Sequence, residues 1–235
     1  MTKFIAVISG KGGVGKTTTA LNIAKGLSNV GSRVLVVDGN VNTPHVALQL
    51  GIMNPENTLN NFLKRKSSMK SAITEHSSGV DMVLSSPSFT ESKTVPLKRI
   101  DKIFRHLDGS YDVVIIDCPA GLGFEVSSIL KYTDEAIIVT NPQLPSVVDA
   151  VKASDLAKSE SNFVVGLVLN MTKHSRHELS AAQVEEMVGL PIVGNVPHDK
   201  KIRKAQHHHE LSSDIYPRAK SSKQFQKIAE FMSGR

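Results

Sequence analysis

The chain has 235 residues, of which 40% are hydrophobic and 21% are charged, a composition typical of a globular protein with a substantial buried core. Its single cysteine, Cys118, excludes an internal disulfide, and no cysteine or histidine spacing indicates a zinc or iron–sulfur site, while the net charge of +6 favours polyanionic partners. The apolar runs are far shorter than the roughly 20 residues of a membrane-spanning helix and no signal-peptide pattern opens the chain, so we expect a cytoplasmic protein.

Along the chain, short apolar segments alternate with stretches of helical periodicity. The segments predicted as strands are mostly unbroken by polar residues: Phe4–Ser9, Arg33–Val37, Met82–Leu84, Val113–Ile116, Ala136–Thr140, Val164–Leu169 and Ile192–Val193. Helices are predicted where apolar residues return every three or four positions: Lys16–Val30, Pro96–Leu107, Phe124–Tyr132, Leu144–Ser159, Ser180–Val188 and Ser221–Met232. This order predicts a doubly wound, mostly parallel α/β sheet with helices on both faces, and we expect a single domain over residues 1–235. Residues 52–95 have the least regular pattern and are expected to be the most mobile.

The first predicted strand is followed by GKGGVGKT at residues 10–17, which fits G-x-x-x-x-G-K-[ST] at each fixed position. Because the motif lies between a strand and a helix, its glycines let backbone N–H groups surround phosphate oxygens at a helix N-terminus. In this pattern Lys16 reaches the β- and γ-phosphates and the Thr17 hydroxyl binds Mg²⁺. The phosphate-binding loop then consists of Gly10, Lys11, Gly12, Gly13, Val14, Gly15, Lys16 and Thr17.

Lys11 is not required by that pattern. With it, the segment KGGVGKTT at residues 11–18, which also includes Thr18, resembles the deviant Walker A loop of the MinD/ParA superfamily of dimerising ATPases. The resemblance extends over nearly the whole chain and implies the P-loop NTPase fold, ATP and Mg²⁺ as cofactors, and an ATP-dependent homodimer. It also implies that Lys11 reaches across the dimer to stabilise charge on the partner's nucleotide. A contact of Lys11 within its own subunit is the alternative.

Three later segments strengthen the resemblance. The run VVIIDCPAGLG at residues 113–123 resembles the second switch of MinD proteins, which implies that Asp117 binds Mg²⁺ through water; the alternative is an aspartate that caps the next helix. The run LVLN at residues 167–170 resembles the strand end whose asparagine reads adenine, although Asn170 could instead form a turn. The run VPHD at residues 196–199 resembles the loop that closes over the base, so Pro197 is expected there.

The segment DGNVNTPHVALQLG at residues 38–51 is most similar to the archaeal MinD-like ATPases, but it departs from the D-x-D that bacterial relatives carry at the first switch. The second of those aspartates is tied to hydrolysis, and here its position is held by Asn40. An amide can hold a water molecule but cannot accept its proton. We therefore expect slow ATP turnover, with Asp38 as the nearby acid that acts on water or on the hydrated magnesium, and Lys11, Lys16 and Asn40 beside it in the catalytic set.

The resemblance implies an ATPase switch that positions or recruits partner machinery, as in cell division, through a protein partner that the sequence does not identify. A ParA-like dimer that binds DNA non-specifically for partitioning is the alternative, favoured by the net charge and by the basic cluster at residues 200–204. A nucleotide-dependent binding module that barely hydrolyses ATP is a third possibility.

Other features of the sequence have simpler interpretations. Membrane binding is less expected, because the apolar stripe of Phe225, Ile228, Ala229, Phe231 and Met232 is explained by a last helix packed on the sheet. A cluster-assembly scaffold of the same superfamily would need a cysteine pair that this sequence lacks. The basic clusters at residues 64–66 and 98–105 are interpreted as solvated helix faces.

Overall fold

The computed structural model describes residues 1–173 and 175–234. Their strands are β1 (Lys3–Ile8), β2 (Val34–Asp38), β3 (Ile73–Thr74), β4 (Asp81–Val83), β5 (Val113–Asp117), β6 (Glu135–Thr140), β7 (Phe163–Thr172) and β8 (Ile192–Pro197). Their helices are α1 (Lys16–Asn29), α2 (Val46–Gln49), α3 (Leu59–Leu63), α4 (Met69–Ala72), α5 (Phe89–Ser92), α6 (Asp101–Leu107), α7 (Phe124–Leu130), α8 (Leu144–Ser159), α9 (Ala181–Val188), α10 (Lys200–His207), α11 (Ser212–Ile215) and α12 (Lys220–Ser233).

The eight strands form one sheet in the order β3-β4-β2-β5-β1-β6-β7-β8. Each neighbouring pair is parallel except β3 and β4, which are antiparallel. Parallel strands need crossover connections, and here helices provide most of them and cover both faces of the sheet. The predicted fold class, a doubly wound and mostly parallel sheet, is confirmed.

Alternate residues of each central strand face two separate hydrophobic cores. On β1, Ile5 and Val7 pack in the core beneath α1 and α12, whereas Ala6 and Ile8 pack in the core beneath α3, α6, α7 and α8. Full burial of an aliphatic side chain of this size contributes about 1.5–3 kcal/mol to stability, so both faces of the sheet demand apolar residues. This requirement explains why the strands are apolar without alternation.

The middle of the sequence is more regular than predicted. Four helices of four or five residues lie between residues 46 and 92, too short for a helical period to show in the sequence. Their ends are fixed locally: the Thr58 side chain accepts a hydrogen bond from the backbone N–H of Asn61, and Ser68 and Ser71 form a capping box.

Several predicted boundaries are wrong. The helix predicted from Pro96 is a 3₁₀ turn followed by α6, which begins only at Asp101, and the strands predicted to end at Leu169 and Val193 continue to Thr172 and Pro197. The helix α10 was not predicted, because Ala205 is its one buried residue and a mostly polar segment carries little periodic signal.

The last helix packs inward as expected, with one exception. The side chains of Phe225, Ile228 and Ala229 are fully buried, and Met232 is nearly so. Phe231, which the sequence analysis placed on the same face, is 48% exposed and was assigned wrongly. None of the helices within residues 1–173 and 175–234 combines the length and apolar character needed to cross a bilayer.

Candidate active site

The glycine-rich loop connects β1 to α1 at the carboxyl edge of the sheet. Gly13 and Gly15 have φ angles of 81° and 88°, in the left-handed region that favours glycine. A Cβ at Gly15 would lie 2.2 Å from the amide nitrogen of Asn170, so this position also lacks room for any side chain. The loop borders a cavity of about 420 Å³. From the loop and α1 it is lined by Lys11, Gly12, Gly13, Gly15, Lys16, Thr17 and Thr18, and from the two switch segments by Asn40, Asn42, Thr43, His45, Gln49, Pro119, Ala120 and Glu125.

Asp117, at the end of β5, contacts the last two residues of the motif. The Lys16 Nζ lies 2.7 Å from Asp117 Oδ1, and the Thr17 hydroxyl donates to Asp117 Oδ2 at 2.6 Å. Lys16 and Asp117 are both buried, so the opposite charges compensate each other in a region of low dielectric constant. The helix-capping alternative for Asp117 is wrong, because the N-cap of α7 is Gly123 and no side chain caps this helix.

These oxygen atoms fit a magnesium ion. Carboxylate and hydroxyl oxygens are the ligands that Mg²⁺ prefers, and Thr17 and Asp117 already lie within hydrogen-bond distance of each other beside the phosphate-binding loop. Asp38 lies on the adjacent strand, where it pairs in register with Asp117. The three residues predicted as metal ligands therefore meet at one edge of the sheet.

Asp38 is fully buried and is stabilised by the backbone. Its Oδ1 accepts from the N–H of Asn40 at 3.2 Å, and its Oδ2 accepts from the N–H groups of His45 and Val46 at 3.2 and 3.1 Å. Burial, and secondarily the charge of Asp117, nevertheless raise the pKa of Asp38 to about 7. The Asp38 carboxylate is thus buried beside Asp117, and its pKa lies near neutrality.

The Asn40 side chain holds a turn. Its amide nitrogen donates to the Thr43 carbonyl at 2.5 Å and to the Thr43 hydroxyl at 3.0 Å, and its amide oxygen accepts from the Thr43 N–H at 3.1 Å. Asn40 lines the main cavity, as predicted, but both ends of its amide are used within residues 40–43. In this geometry its first role is to shape the first switch.

Asn170 and Pro197 border a smaller cavity of about 110 Å³ beside the loop, together with Thr18 and Ile202. Asn170 lies within β7, which excludes the turn-forming alternative, and its amide nitrogen donates to the Val14 carbonyl at 2.8 Å. Its amide oxygen is buried without a hydrogen-bond partner in the described structure. A buried acceptor of this kind fits an exocyclic amino group such as that of adenine.

Lys11 is exposed, as are the neighbouring Gly12 and Gly13 of the loop. Within residues 1–173 and 175–234, no hydrogen bond or ion pair of its ammonium group is present, so the alternative of a contact inside its own subunit finds no support. The sequence analysis places this ammonium against a second subunit, and its solvent-facing position is compatible with that prediction.

Three further polar residues, Gln49, Gln206 and Asn60, hold the site together, and the motifs did not identify any of them. The Thr18 hydroxyl accepts from the side-chain amides of Gln49 in α2 and Gln206 in α10, at 3.2 and 3.0 Å. The fully buried Asn60 in α3 donates to the carbonyl of Val41, in the first switch, at 2.9 Å. The only signal for Asn60 in the sequence is the pair of asparagines at residues 60 and 61 between apolar residues.

Comparisons with known proteins agree with this geometry. A family profile named ParA, described as the NUBPL iron-transfer P-loop NTPase, matches residues 1–233. An ATP-binding protein of Methanocaldococcus jannaschii is 30% identical over 98% of this chain and 87% of its own length. The septum site-determining protein MinD of Synechocystis is 29% identical over 86% of this chain and 78% of its own length.

Solved structures give the same result. The septum site-determining protein MinD of Pyrococcus horikoshii, complexed with Mg-ADP, has a TM-score of 0.94 and 28% identity and covers 99% of this chain and 96% of its own. The cell division ATPase MinD of Pyrococcus furiosus has the same TM-score and identity and covers 100% and 99%.

The residues of this chain do not support the iron transfer that the family description mentions. Its single cysteine, Cys118, is buried, and burial raises the pKa of the thiol to about 12. The predicted resemblance to the MinD/ParA superfamily is confirmed by the profile, the relatives and the fold together. The chain therefore belongs to the ParA family of P-loop NTPases, among the MinD/ParA-like ATPases.

Proposed function

We propose that the protein is an ATP-dependent dimerising switch that hydrolyses ATP slowly. The observation that carries this proposal is the buried cluster of Lys16, Thr17 and Asp117 against the glycine loop. Loop N–H groups and Lys16 hold the β- and γ-phosphates, while Thr17, Asp117 and Asp38 hold the hydrated Mg²⁺. When bound, the magnesium ion neutralises charge on the phosphate oxygens. The Mg-ADP complex of the P. horikoshii relative supports this assignment.

The adenine base is assigned to the smaller cavity. The free amide oxygen of Asn170 accepts a hydrogen bond from the base amino group, and Pro197 and Ile202 provide apolar surface beside it. Because Asn170 also holds the Val14 carbonyl, base binding and the shape of the phosphate loop depend on one side chain.

Slow hydrolysis follows from the first switch. Asp38 is the acid of the first switch that can position the attacking water or a water on the metal, but its two oxygens are already engaged by three backbone N–H groups. Asn40 orients the turn and accepts no proton. Phosphoryl transfer depends mainly on positioning and charge stabilisation, so turnover is slow and not absent.

The charge that develops on the phosphates is stabilised by Lys11 from the second subunit. ATP then favours the dimer, the dimer recruits a protein partner, and hydrolysis releases it in the cytoplasm. A MinC:MinD complex is known among structures that share this fold, which supports a protein partner for the dimer.

The decisive experiment measures ATP turnover and molar mass together. Wild-type protein is expected to double in mass with ATP and Mg²⁺ but not with ADP. Lys11→Ala is expected to keep nucleotide binding and lose about a hundredfold or more in turnover, the range typical of a charge-stabilising group supplied in trans. The control Lys223→Ala removes an equally exposed lysine on α12 and should behave as wild type. Wild-type turnover by Lys11→Ala would contradict the proposal.

The effect of Asn40 is tested with Asn40→Asp in single-turnover assays. A carboxylate at this position is expected to speed hydrolysis by about a hundredfold, the lower range for general-base catalysis. The same change loses the two hydrogen bonds that the Asn40 amide donates to Thr43, so the folding of the variant is checked by thermal unfolding. An unchanged rate in a folded variant would show that Asn40 does not limit turnover.

A DNA-binding function in the ParA manner is favoured by one observation. Four exposed cations lie on the short helix α10: Lys200, Lys201, Arg203 and Lys204. DNA binding that requires ATP and falls steeply with salt would support this alternative over a protein partner.

A further inference from the structure

A second cleft, of about 500 Å³, lies between the segment after α3 and the start of α6. It brings together two basic clusters that are far apart in the sequence and were interpreted as solvated helix faces. Its cationic lining consists of Arg65, Lys70, Arg99 and Lys102, with His106 beside them. The cleft shares no lining residue with the cavity at the glycine loop.

No carboxylate lines this cleft in the described part of the chain. The nearest ion pairs involve Asp101, which lies 3.2 Å from Arg105 Nη2 but 3.9 Å from Lys102 Nζ, so it mainly neutralises a residue outside the lining. Four cationic side chains therefore line one concave surface, and among the described residues only Lys102 has a carboxylate within 4 Å. Such an arrangement is destabilising by self-repulsion unless an anion occupies it.

Two polar atoms at this cleft are buried without a hydrogen-bond partner among the described residues: Arg99 Nε and Ser67 Oγ. Buried polar groups are nearly always satisfied in folded proteins, and each unmade bond costs about 1–3 kcal/mol. The guanidinium of Arg99 presents N–H donors in a planar fork that suits phosphate oxygens. Because both atoms are shielded from solvent, a ligand in the cleft would reach the terminal N–H groups of Arg99 and not these two atoms.

The rest of the lining favours a small molecule. Buried Phe62 and Met69 form an apolar floor, and the His106 ring packs edge-on against Phe62 with 5.3 Å between the ring centres. The His106 Nδ1 lies 2.7 Å from the Lys102 carbonyl, which can only accept, so Nδ1 carries the proton and Nε2 remains for a ligand. The cleft volume lies within the range of small-molecule sites.

We propose that this cleft binds a soluble small molecule that carries two or more phosphate groups. Arg99 and Arg65 hold one phosphate through their terminal N–H groups, and Lys70 and Lys102 neutralise the other. Helix α3, whose C-terminal end borders the cleft, also holds the first switch through Asn60, so the ligand lies next to an element that contacts the ATP site.

The proposal is tested by calorimetric titration of the full chain with inorganic tripolyphosphate at physiological ionic strength, with the glycine loop saturated by Mg-ADP and Mg²⁺ in excess. Wild-type protein is expected to bind one equivalent. The double variant Lys70→Gln/Arg99→Gln should weaken binding by about tenfold or more, as loss of charge-assisted hydrogen bonds predicts. The matched control Lys223→Gln/Lys227→Gln removes two exposed charges from α12 and should change affinity less than about twofold.

Arg99→Lys keeps the charge but loses the fork and is expected to bind with intermediate affinity. Unchanged Mg-ADP binding by all variants shows that they are folded. Equal weakening by the two double variants, or no saturable binding by wild type, would overturn the proposal. A lipid source of the phosphates is distinguished by co-sedimentation with vesicles containing phosphatidylinositol bisphosphate: vesicle binding without tripolyphosphate binding would also overturn it.

Discussion

The two strands at the centre of the site, β2 and β5, end in buried aspartates that are neighbours in register, yet the molecule stabilises them in different ways. Asp117 is held by side chains, through the Lys16 ammonium and the Thr17 hydroxyl. Asp38 is held by three backbone N–H groups and lacks a direct ion pair in the described structure. The Asp117 side of the site therefore depends on charge, and the Asp38 side depends on the shape of the first switch.

The largest expected effect is on the Asp117 side. Lys16→Ala leaves the Asp117 carboxylate buried without its cation, and breaking a buried pair in this way costs about 3–5 kcal/mol. The variant should also lose measurable ATP turnover. Denaturant unfolding gives the free energy, and Lys152→Ala, which breaks an exposed pair with Asp149, serves as a control that should cost less than about 1 kcal/mol. An equal loss of unfolding free energy in both variants would show that the Lys16–Asp117 pair contributes no more than an exposed ion pair.

A smaller effect is expected on the Asp38 side, where Asn60 supports the first switch. Asn60→Ala leaves the Val41 carbonyl and the Ser86 N–H, now bonded at 2.9 Å each, without their partner. Two unsatisfied backbone groups cost about 2–4 kcal/mol together. Hydrogen exchange is expected to accelerate in residues 39–50 while α1 stays protected. The control Asn61→Ala changes the adjacent, half-exposed asparagine. Uniform exchange throughout the chain would show that the first switch is not a separate unit.

The sequence predicted the charge-based side far better than the shape-based side. The glycine loop, Lys16 and Thr17 are contiguous and carry a motif, and Asp117 ends an apolar strand, so local patterns were sufficient for their placement. The backbone cage of Asp38, the Thr43 partner of Asn40 and the link from Asn60 to Val41 depend on how turns fold and on contacts between distant segments. The short helices α2 to α5 and the basic cleft between α3 and α6 were missed for the same reason, since the contacts that form them are tertiary.

The glycine loop offers a second test on the charge-based side. Gly15→Ala combines a φ of 88° with a Cβ that would meet the Asn170 amide at 2.2 Å. We expect a loss of about 1–3 kcal/mol from the backbone alone, with further loss of nucleotide affinity as Asn170 is displaced. Gly109→Ala has a φ of 78° and nothing within 4 Å of its Cβ, so it isolates the backbone term. Identical unfolding free energies for the two variants would show that the Asn170 side chain moves aside without loss of stability.

The smallest expected effect lies where the two sides meet at the surface. The Asn42 amide, in the first switch, donates to Glu125 Oε1 at 2.5 Å, and Glu125 lies in the first turn of α7, which follows the Asp117 loop. Both side chains are solvent-accessible, so Asn42→Ser should change stability by no more than about 0.5 kcal/mol. Because this bond joins the two switch segments, its loss should still speed proteolytic cleavage within residues 39–45 in the nucleotide-free protein and have little effect with Mg-ATP, when the metal and the phosphates join the two sides instead. If faster cleavage persists at saturating Mg-ATP, the nucleotide does not couple the Asp117 side of the site to the Asp38 side. Each switch would then respond to the nucleotide separately.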